Sequence, residues 1–242
     1  MNNSIAMLKL NEAFAIMKKE LRGYFVSPIA YIVITIFLVF TGFFFFKDFF
    51  IIKQAEMRRF FQLIPLMLTF VVPAITMRLF AEERHSGSIE ILLTLPISTR
   101  DVVLGKFFAG TLFVAIMMIP TLLYVITVVI VGSPDIGPII GGYIGVILLG
   151  AAYTSVGLLT SSLTHNQIVA FIIGWFSCFS LWLIDKVVSY LPGIFKSIEY
   201  VGTDFHFQGI ARGVIDTRNI IYFVSVITIM ILFTIKILDE RR

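Results

Sequence analysis

The chain has 242 residues, of which 58% are apolar and only 14% are charged, with a net charge of +4. Soluble domains carry roughly 25% charged residues, and the mean hydropathy here is +0.97, so an ordinary soluble globule is excluded. Charged residues are absent from five long runs, at 23–46, 60–77, 107–134, 136–184 and 219–235. Because a helix needs about 20 apolar residues to cross a bilayer, these runs predict an all-α integral membrane protein.

The longest run, 136–184, is too long for one span and is interrupted by polar residues. The interruption consists of Thr164, His165, Asn166 and Gln167, which we interpret as a tight turn between two helices. The chain then forms a single transmembrane domain over 1–242. Its predicted spans are 28–46, 61–80, 102–131, 138–162, 168–185 and 219–238. An even number of spans puts both termini on the same side of the membrane.

Residues 9–24, which precede the first span, have the pattern of an amphipathic helix. Leu10, Phe14, Met17 and Leu21 repeat at helical spacing, and Pro28 follows before the first span. Two interpretations stay open: a helix lying in the membrane interface, or a positively charged anchor for the first span. The polar residues within 1–22 are unlike a cleavable signal peptide, so we expect the first span to be retained.

The distribution of Lys and Arg favours one orientation. With six spans, eleven of these residues fall on the side of the termini and eight fall on the opposite side. Since loops rich in Lys and Arg stay in the cytoplasm, this imbalance predicts cytoplasmic termini.

The loop between the second and third spans starts with charged residues and turns apolar after Gly87. A short helix is predicted there, ended by Pro96, and Ser98 with Asp101 three residues later predicts the N-cap of the third span. The residues Ile89, Leu92 and Leu93 share one face of the short helix. This face either packs on the membrane surface or inserts into a groove of a soluble partner.

The last loop, 186–218, is too apolar in its second half for a solvated segment and too short to cross the membrane. It includes Phe205, His206 and Phe207. We expect helices here that dip partway into the outer leaflet and are buried by protein, because backbone inside a membrane must be shielded from lipid.

The sequence offers little chemistry of its own. The middles of the spans contain almost no ionisable side chains, which argues against a secondary carrier. A phosphate-binding P-loop is missing too: Gly105-Lys106 is preceded by Arg100 and followed by Phe107, where that motif needs Gly and Ser or Thr. Cys178 is the single cysteine, so we expect no disulfide and no cysteine metal cluster. Because the sequence has no HExxH, no GxSxG and no intramembrane Asp pair, we also expect no catalytic, cofactor or metal site and no enzyme activity on this chain.

Small residues in the fourth span predict close helix packing. Gly137, Gly141 and Gly145 form two consecutive GxxxG steps, for which we favour packing within the subunit over a dimer interface. Pro73 and Pro120 lie inside predicted spans and are expected to kink them.

Several segments together carry a resemblance to a known family. They are VPAITMR at 72–78, FAEER at 80–84, GSIEILLTLPIS at 87–98, SSLTHNQIVA at 161–170, FHF at 205–207, RGVID at 212–216 and YF at 222–223. Their order resembles the permease subunits of ABC-2 type exporters. It is most similar to the subgroup that contains the gliding-motility-associated permease and the permease accompanying nitrous-oxide reductase maturation.

The resemblance implies a bacterial inner-membrane permease, either a homodimer or a paired permease. It would bind two copies of a cytoplasmic ATP-binding subunit that carries ATP and Mg, together with membrane lipids and a possible extracytoplasmic accessory protein, and no nucleic acid. Segment 9–24 would be the interfacial helix, 82–95 the coupling helix and 192–216 the outer gate helices. The sequence departs from the family pattern in two places. Ser88 stands where the family usually has Thr. The 47–59 loop is short and basic, so contacts that longer outer loops make in other family members are not expected here.

The implied site residues fall into three groups. Contacts to the ATPase would come from Glu82, Glu83, Arg84, Gly87, Ser88, Glu90, Leu92 and Leu93. The second cytoplasmic turn would be Thr164, His165, Asn166 and Gln167. The outer gate would include Phe205, His206, Phe207, Arg212 and Asp216. We also expect salt links at Glu83 and Arg84 to keep the charged loop folded.

The function expected from this resemblance is that of the permease subunit of an ATP-driven exporter. The alternative is a membrane anchor that transports nothing and relays the motion of an ATPase to extracytoplasmic partners. The sequence leaves both open and does not identify a substrate.

Overall fold

The computed structural model describes residues 2–52, 56–88, 97–189, 198–214 and 216–240. Its helices are α1 Asn2–Val26, α2 Pro28–Ile52, α3 Arg58–Thr76, α4 Arg78–His85, α5 Thr99–Met118, α6 Leu122–Val131, α7 Ile136–Leu163, α8 Gln167–Val188, α9 Thr203–Ala211 and α10 Thr217–Asp239. A 3-10 turn, Ile119–Thr121, joins α5 to α6, and another covers 198–201. The described residues contain no strand, so the all-α prediction is confirmed for them.

Six stretches of the described chain are long and apolar enough to cross a membrane. They are Pro28–Lys47, Arg58–His85, Thr99–Val131, Ile136–Leu163, Gln167–Val188 and Thr217–Asp239. The predicted number of spans is therefore confirmed for these residues. The second stretch is longer than the predicted 61–80, because α4 continues from α3 with only Met77 between them.

Since successive spans run in opposite directions, the bundle has two ends. We call the end with Val26, His85, Thr99, Leu163 and Asp239 the termini side. The other end, which carries α9, is the opposite side.

The N-terminal helix α1 is longer than the predicted 9–24 and packs along α5. It ends at Val26, and α2 begins at Pro28, as the sequence indicates. Gly105 of α5 makes the close approach possible, because a Cβ at that position would lie 2.7 Å from the Ala13 carbonyl oxygen and 2.8 Å from Ile16.

Helix α7 lies at the centre of the bundle. About two-thirds of its span is buried, against 17% for the spans of α8 and α10. Its glycines leave room for neighbouring helices: a Cβ at Gly150 would lie 2.8 Å from Val114 of α5, and one at Gly157 would overlap Thr76 of α3. The sequence pattern of small residues in the fourth span thus corresponds to close packing inside this chain.

The two prolines that are predicted to kink spans each lie in or close to a junction between helical segments. Pro120 lies within the 3-10 turn that joins α5 to α6. Pro73 lies in the last turn of α3, and its carbonyl oxygen accepts the Met77 N–H at 2.9 Å just before α4 begins.

The predicted cap at Ser98 is confirmed, and a second cap lies at the polar turn 164–167. The Ser98 hydroxyl accepts the Asp101 N–H at 3.2 Å and caps α5. Asn166 Oδ1 accepts the Ile168 N–H at 2.8 Å and caps α8, directly after the turn that ends α7.

Candidate functional site

The chain leaves α4 through a tight turn on the termini side. The hydroxyls of Ser86 and Ser88 both donate to the Glu83 carbonyl oxygen, at 3.2 and 3.3 Å, and lie 2.9 Å from each other. Gly87 has a φ of +72°, a conformation that favours glycine. The described part of the predicted coupling helix, 82–95, consists of the end of α4, residues 82–85, and this turn; Glu90, Leu92 and Leu93 lie outside the described residues.

A buried lysine lies at the base of this turn. Lys106 of α5 is 1% exposed, and its Nζ lies 2.8 Å from Glu20 Oε1 of α1, 2.8 Å from Glu83 Oε1 of α4 and 2.7 Å from the Leu79 carbonyl oxygen. Its ammonium also lies 5.1 Å from the centre of the Phe80 ring. One cation therefore joins α1, α4 and α5.

The predicted salt link at Glu83 exists, but its partner was not predicted. The sequence does contain one indication of this partner, because Lys106 is a charged residue inside the predicted span 102–131. Since Glu83 is held by Lys106, its role in the structure is to fix the turn. The exposed side chains nearby are those of Glu82, His85, Ser86 and Ser88.

Glu82 is held by its own helix. Arg78 donates to its carboxylate through Nε at 2.8 Å and through Nη2 at 3.2 Å. On the facing side of α1, the Tyr24 hydroxyl donates to the Ile75 carbonyl oxygen at 3.3 Å. Burial raises the pKa of the Tyr24 phenol well above its usual range, the charge of Glu20 acts in the same direction, and Arg78 opposes them. Tyr24 is therefore a neutral donor at physiological pH.

A serine of the central helix holds the break between α3 and α4. Ser161 Oγ accepts the N–H groups of Phe80 and Ala81, both at 3.0 Å, and donates to the Met77 carbonyl oxygen at 2.9 Å. The side chain of Met77, the N-cap residue, makes no hydrogen bond to α4. Ser161 therefore supplies a side-chain acceptor to N–H groups in the first turn of that helix from across the bundle. In the sequence, Ser161 is only a small polar residue within a predicted span, a pattern that does not indicate this role.

The second predicted turn, between α7 and α8, lies on the same side of the bundle. Asn166 is its capping residue, and its own N–H donates to Thr164 Oγ1 at 3.1 Å. His165 is exposed and Gln167 is the first residue of α8. Helix α4 packs against both α7 and α8, so this turn and the turn after α4 belong to one surface.

The predicted outer gate residues separate into buried and exposed groups. Phe207 is fully buried on α9 and lies against Gly145 of α7. Arg212 is exposed after the end of α9, and Asp216 caps α10 by accepting the Arg218 N–H at 2.9 Å. The part of this segment at 192–197 lies outside the described residues.

His206 holds three pieces of the opposite side together. Its Nδ1 lies 2.8 Å from Asn219 Oδ1 of α10, its Nε2 lies 2.9 Å from the Tyr200 carbonyl oxygen, and its ring stacks on Tyr222 at 4.0 Å. Phe205 contacts the same ring edge to face. This buried histidine therefore has structural partners on α10 and on the 3-10 turn at 198–201.

An ion pair lies beside this histidine. Lys186 Nζ is 2.5 Å from Asp204 Oδ2, and Gln208 donates to the other oxygen of Asp204 at 3.1 Å. Asp204 is 1% exposed. In the part of the chain that the structure describes, no group of three or more His, Cys, Asp and Glu is arranged to hold a metal ion.

The glycines of the predicted GxxxG steps face α9 in the same chain. A Cβ on Gly141 would overlap the Ile210 carbonyl oxygen and lie 3.1 Å from Gly213 Cα, and one on Gly145 would lie 3.1 Å from the Phe207 ring. Gly137 lies next to Gly213.

These features define a multi-pass membrane protein whose termini side presents a turn tied into several spans. A family model described as ABC-2 family transporter protein matches residues 14–194, about three-quarters of the chain, and the chain belongs to that family. No curated protein matches it.

Proposed function

We propose that the chain is the permease subunit of an ATP-driven exporter in a bacterial inner membrane, with cytoplasmic termini. A separate ABC ATP-binding subunit, in two copies, would hold ATP and Mg and hydrolyse the nucleotide. Two permease copies would form the pathway. Membership of the ABC-2 transporter family supports this assignment, because that family consists of membrane subunits.

The observation that carries the proposal is the anchoring of the turn after α4. Its exposed residues, Gly87 and Ser88, are available to a partner, whereas Glu83 at its base is tied to α1 and α5 through Lys106. Ser161 ties the first turn of α4 to α7. A push on the turn therefore acts on several spans, which is what a subunit driven from outside the membrane needs.

The order of events follows from these ties. Closure of the ATPase subunits would displace segment 82–95, α4 would move with it, and the break at Met77 would let α4 tilt relative to α3. Ser161 holds the first turn of α4 and would be the pivot of this tilt, so the far end of α4 at His85 would move relative to α7 while α7 receives part of the displacement. Because α7 packs on α9 at Gly141 and Gly145, the displacement would reach the opposite side, where the outer gate would open.

Co-purification tests the proposal. The tagged chain is isolated from its native membranes, its associated proteins are identified by mass spectrometry, and release of phosphate from ATP is measured with and without vanadate. We expect an ABC ATPase and vanadate-sensitive hydrolysis that the chain alone does not show. Hydrolysis by the isolated chain, or a complex without an ATPase, would overturn the assignment.

Substitutions in and next to the turn after α4 test whether this turn binds the ATPase. Glu83→Arg places a cation against Lys106, and Gly87→Pro cannot adopt a positive φ; both should lower recovery of the ATPase. Glu240→Arg is the matched control, because it reverses an exposed carboxylate at the same end of the bundle. Equal recovery with all three variants would argue that the partner binds elsewhere.

The alternative is a membrane anchor that transports nothing. It would depend on the same contacts between helices, but the motion of the ATPase would be relayed to extracytoplasmic partners and no substrate would cross the membrane. It is tested by reconstituting the complex in vesicles and measuring ATP hydrolysis with and without total lipid and membrane extract of the source cells. Stimulation by extract favours export, and constant hydrolysis favours the anchor.

A further inference from the structure

One connection between helices on the termini side runs through a single atom, Lys106 Nζ. Lys106 Nζ has three N–H groups, and each has a separate acceptor: Glu20 on α1, Glu83 on α4 and the carbonyl oxygen of Leu79. An ammonium can donate three hydrogen bonds and no more. All three N–H donors of Lys106 are therefore engaged. Its carboxylate partners are distant in sequence, 86 residues away for Glu20 of α1 and 23 residues away for Glu83 of α4.

The facing surfaces of α1 and α4 are partly separated. A cleft of about 240 Å³ lies between them, with Lys19 and Gly23 on the α1 side and Arg78 and Glu82 on the α4 side. Helix α1 packs mainly on α5, and Tyr24 of α1 shares an apolar cluster with Leu79 of α4. At the end of this cleft, the carboxylates of Glu20 and Glu83 both meet the same lysine.

The chemistry of this contact matters for what it transmits. Apolar residues of similar size commonly hold helices together as well as a buried ion pair does, because both charges of the pair must be desolvated. Apolar contacts, however, allow helices to slide, whereas three charge-assisted hydrogen bonds from one nitrogen fix three acceptors at defined positions. A buried lysine with two carboxylates is thus suited to holding a fixed geometry during motion.

We propose that Lys106 is a positioning residue that makes helix α1 and the ATPase-facing turn after α4 move as one unit. The inference rests on the proposed function, because it assumes that a partner displaces this turn. It adds that the N-terminal helix is part of the moving body and not a passive anchor. Displacement of Glu83 pulls Lys106, and Lys106 carries Glu20 with it.

Pairs of spin labels measure this directly in the complex with its co-purified ATPase. Labels go on cysteines introduced at Lys18 of α1, His85 after α4 and Leu163 of α7, all of which are exposed; the native Cys178 is buried. Distances are compared between the nucleotide-free and the vanadate-trapped complex. We expect the 18–85 distance to stay constant, while 85–163 and 18–163 both change.

Two variants separate the link from the fold. Glu20→Gln weakens only the contact between Lys106 and α1. The triple variant Lys106→Met, Glu20→Gln, Glu83→Gln removes all three charges together, and so leaves no buried carboxylate unpaired. In both, 85–163 should still change on trapping, while the change in 18–163 falls to less than half and 18–85 no longer stays constant.

The control is the exposed pair Lys236 and Glu240, whose charged atoms lie 3.8 Å apart at the same end of the bundle. Lys236→Met with Glu240→Gln should leave every distance as in the wild type. If 18–163 changes as much in the triple variant as in the wild type, the role of Lys106 is overturned while the proposed function stands. If 85–163 does not change in the wild type, the proposed function itself fails.

Discussion

A graded series of alanine substitutions along α7 tests how this helix packs. Gly137, Gly141 and Gly145 form the same sequence motif but have different surroundings. A Cβ on Gly137 meets only Asp135 Oδ1, at 3.5 Å, which is an ordinary contact. A Cβ on Gly145 lies 3.1 Å from two carbons of the Phe207 ring, which must move by a few tenths of an ångström.

Gly141 has no such freedom, because its neighbours are backbone atoms. A Cβ there would overlap the Ile210 carbonyl oxygen and lie 3.1 and 3.3 Å from Gly213 Cα and N. Overpacking costs about 1–3 kcal/mol, and we take the upper end because backbone cannot rotate away. Alanine regains about 1 kcal/mol of helix propensity. The net loss for Gly141→Ala is then about 2 kcal/mol, against roughly zero for Gly145→Ala and a small gain for Gly137→Ala.

The assay is unfolding of the purified protein in mixed micelles of rising SDS content, with hydrogen exchange across 203–211 as a local probe. Gly141→Ala should lower the midpoint and speed exchange in α9, and Gly137→Ala should do neither. Equal midpoints for Gly137→Ala and Gly141→Ala would refute the packing described for α9. So would a loss of dimers at Gly141→Ala with unchanged exchange in α9, because it would place these glycines between subunits.

Two further substitutions have matched controls. Ser161→Ala removes the side-chain acceptor of the Phe80 and Ala81 N–H groups at the buried start of α4, which costs about 1–3 kcal/mol of unfolding free energy. Ser162→Ala, which loses only a bond to its own helix, should cost less in the same SDS titration, and equal losses would contradict the capping role. Gly87→Ala should lose roughly 1–2 kcal/mol because of its positive φ, and Gly23→Ala, inside α1 with no atom within 4 Å, should gain stability; a loss at Gly23 would contradict this expectation.

The spans could be predicted from the sequence because a helix that crosses lipid needs a long run of apolar residues. Long uncharged runs, the polar turn at 164–167 and the cap at Ser98 each depend on local composition, and the structure has helices and turns at those places. Local signals of this kind do not require knowledge of which helix lies next to which.

The contacts that join helices could not be predicted in the same way. Lys106, Glu20 and Glu83 are far apart in sequence, and only the fold brings their charges within 2.8 Å. Ser161 looks like any small residue of a span until α4 is seen to begin beside it. Sequence could name Glu83 as a residue with a salt link, but finding its partner needed the packing of α1 and α4 around α5.

Cross-linking from the turn after α4 tests the central claim most directly. Ser88 is exposed, so a cysteine at this position can react with a bismaleimide that reaches a neighbouring protein, while Cys178 remains buried. In native membranes we predict that Ser88→Cys cross-links to an ABC ATPase subunit and is labelled from the cytoplasm only. Labelling of Ser88→Cys by an impermeant maleimide added outside intact spheroplasts, with no cross-link to an ATPase, would contradict the claim.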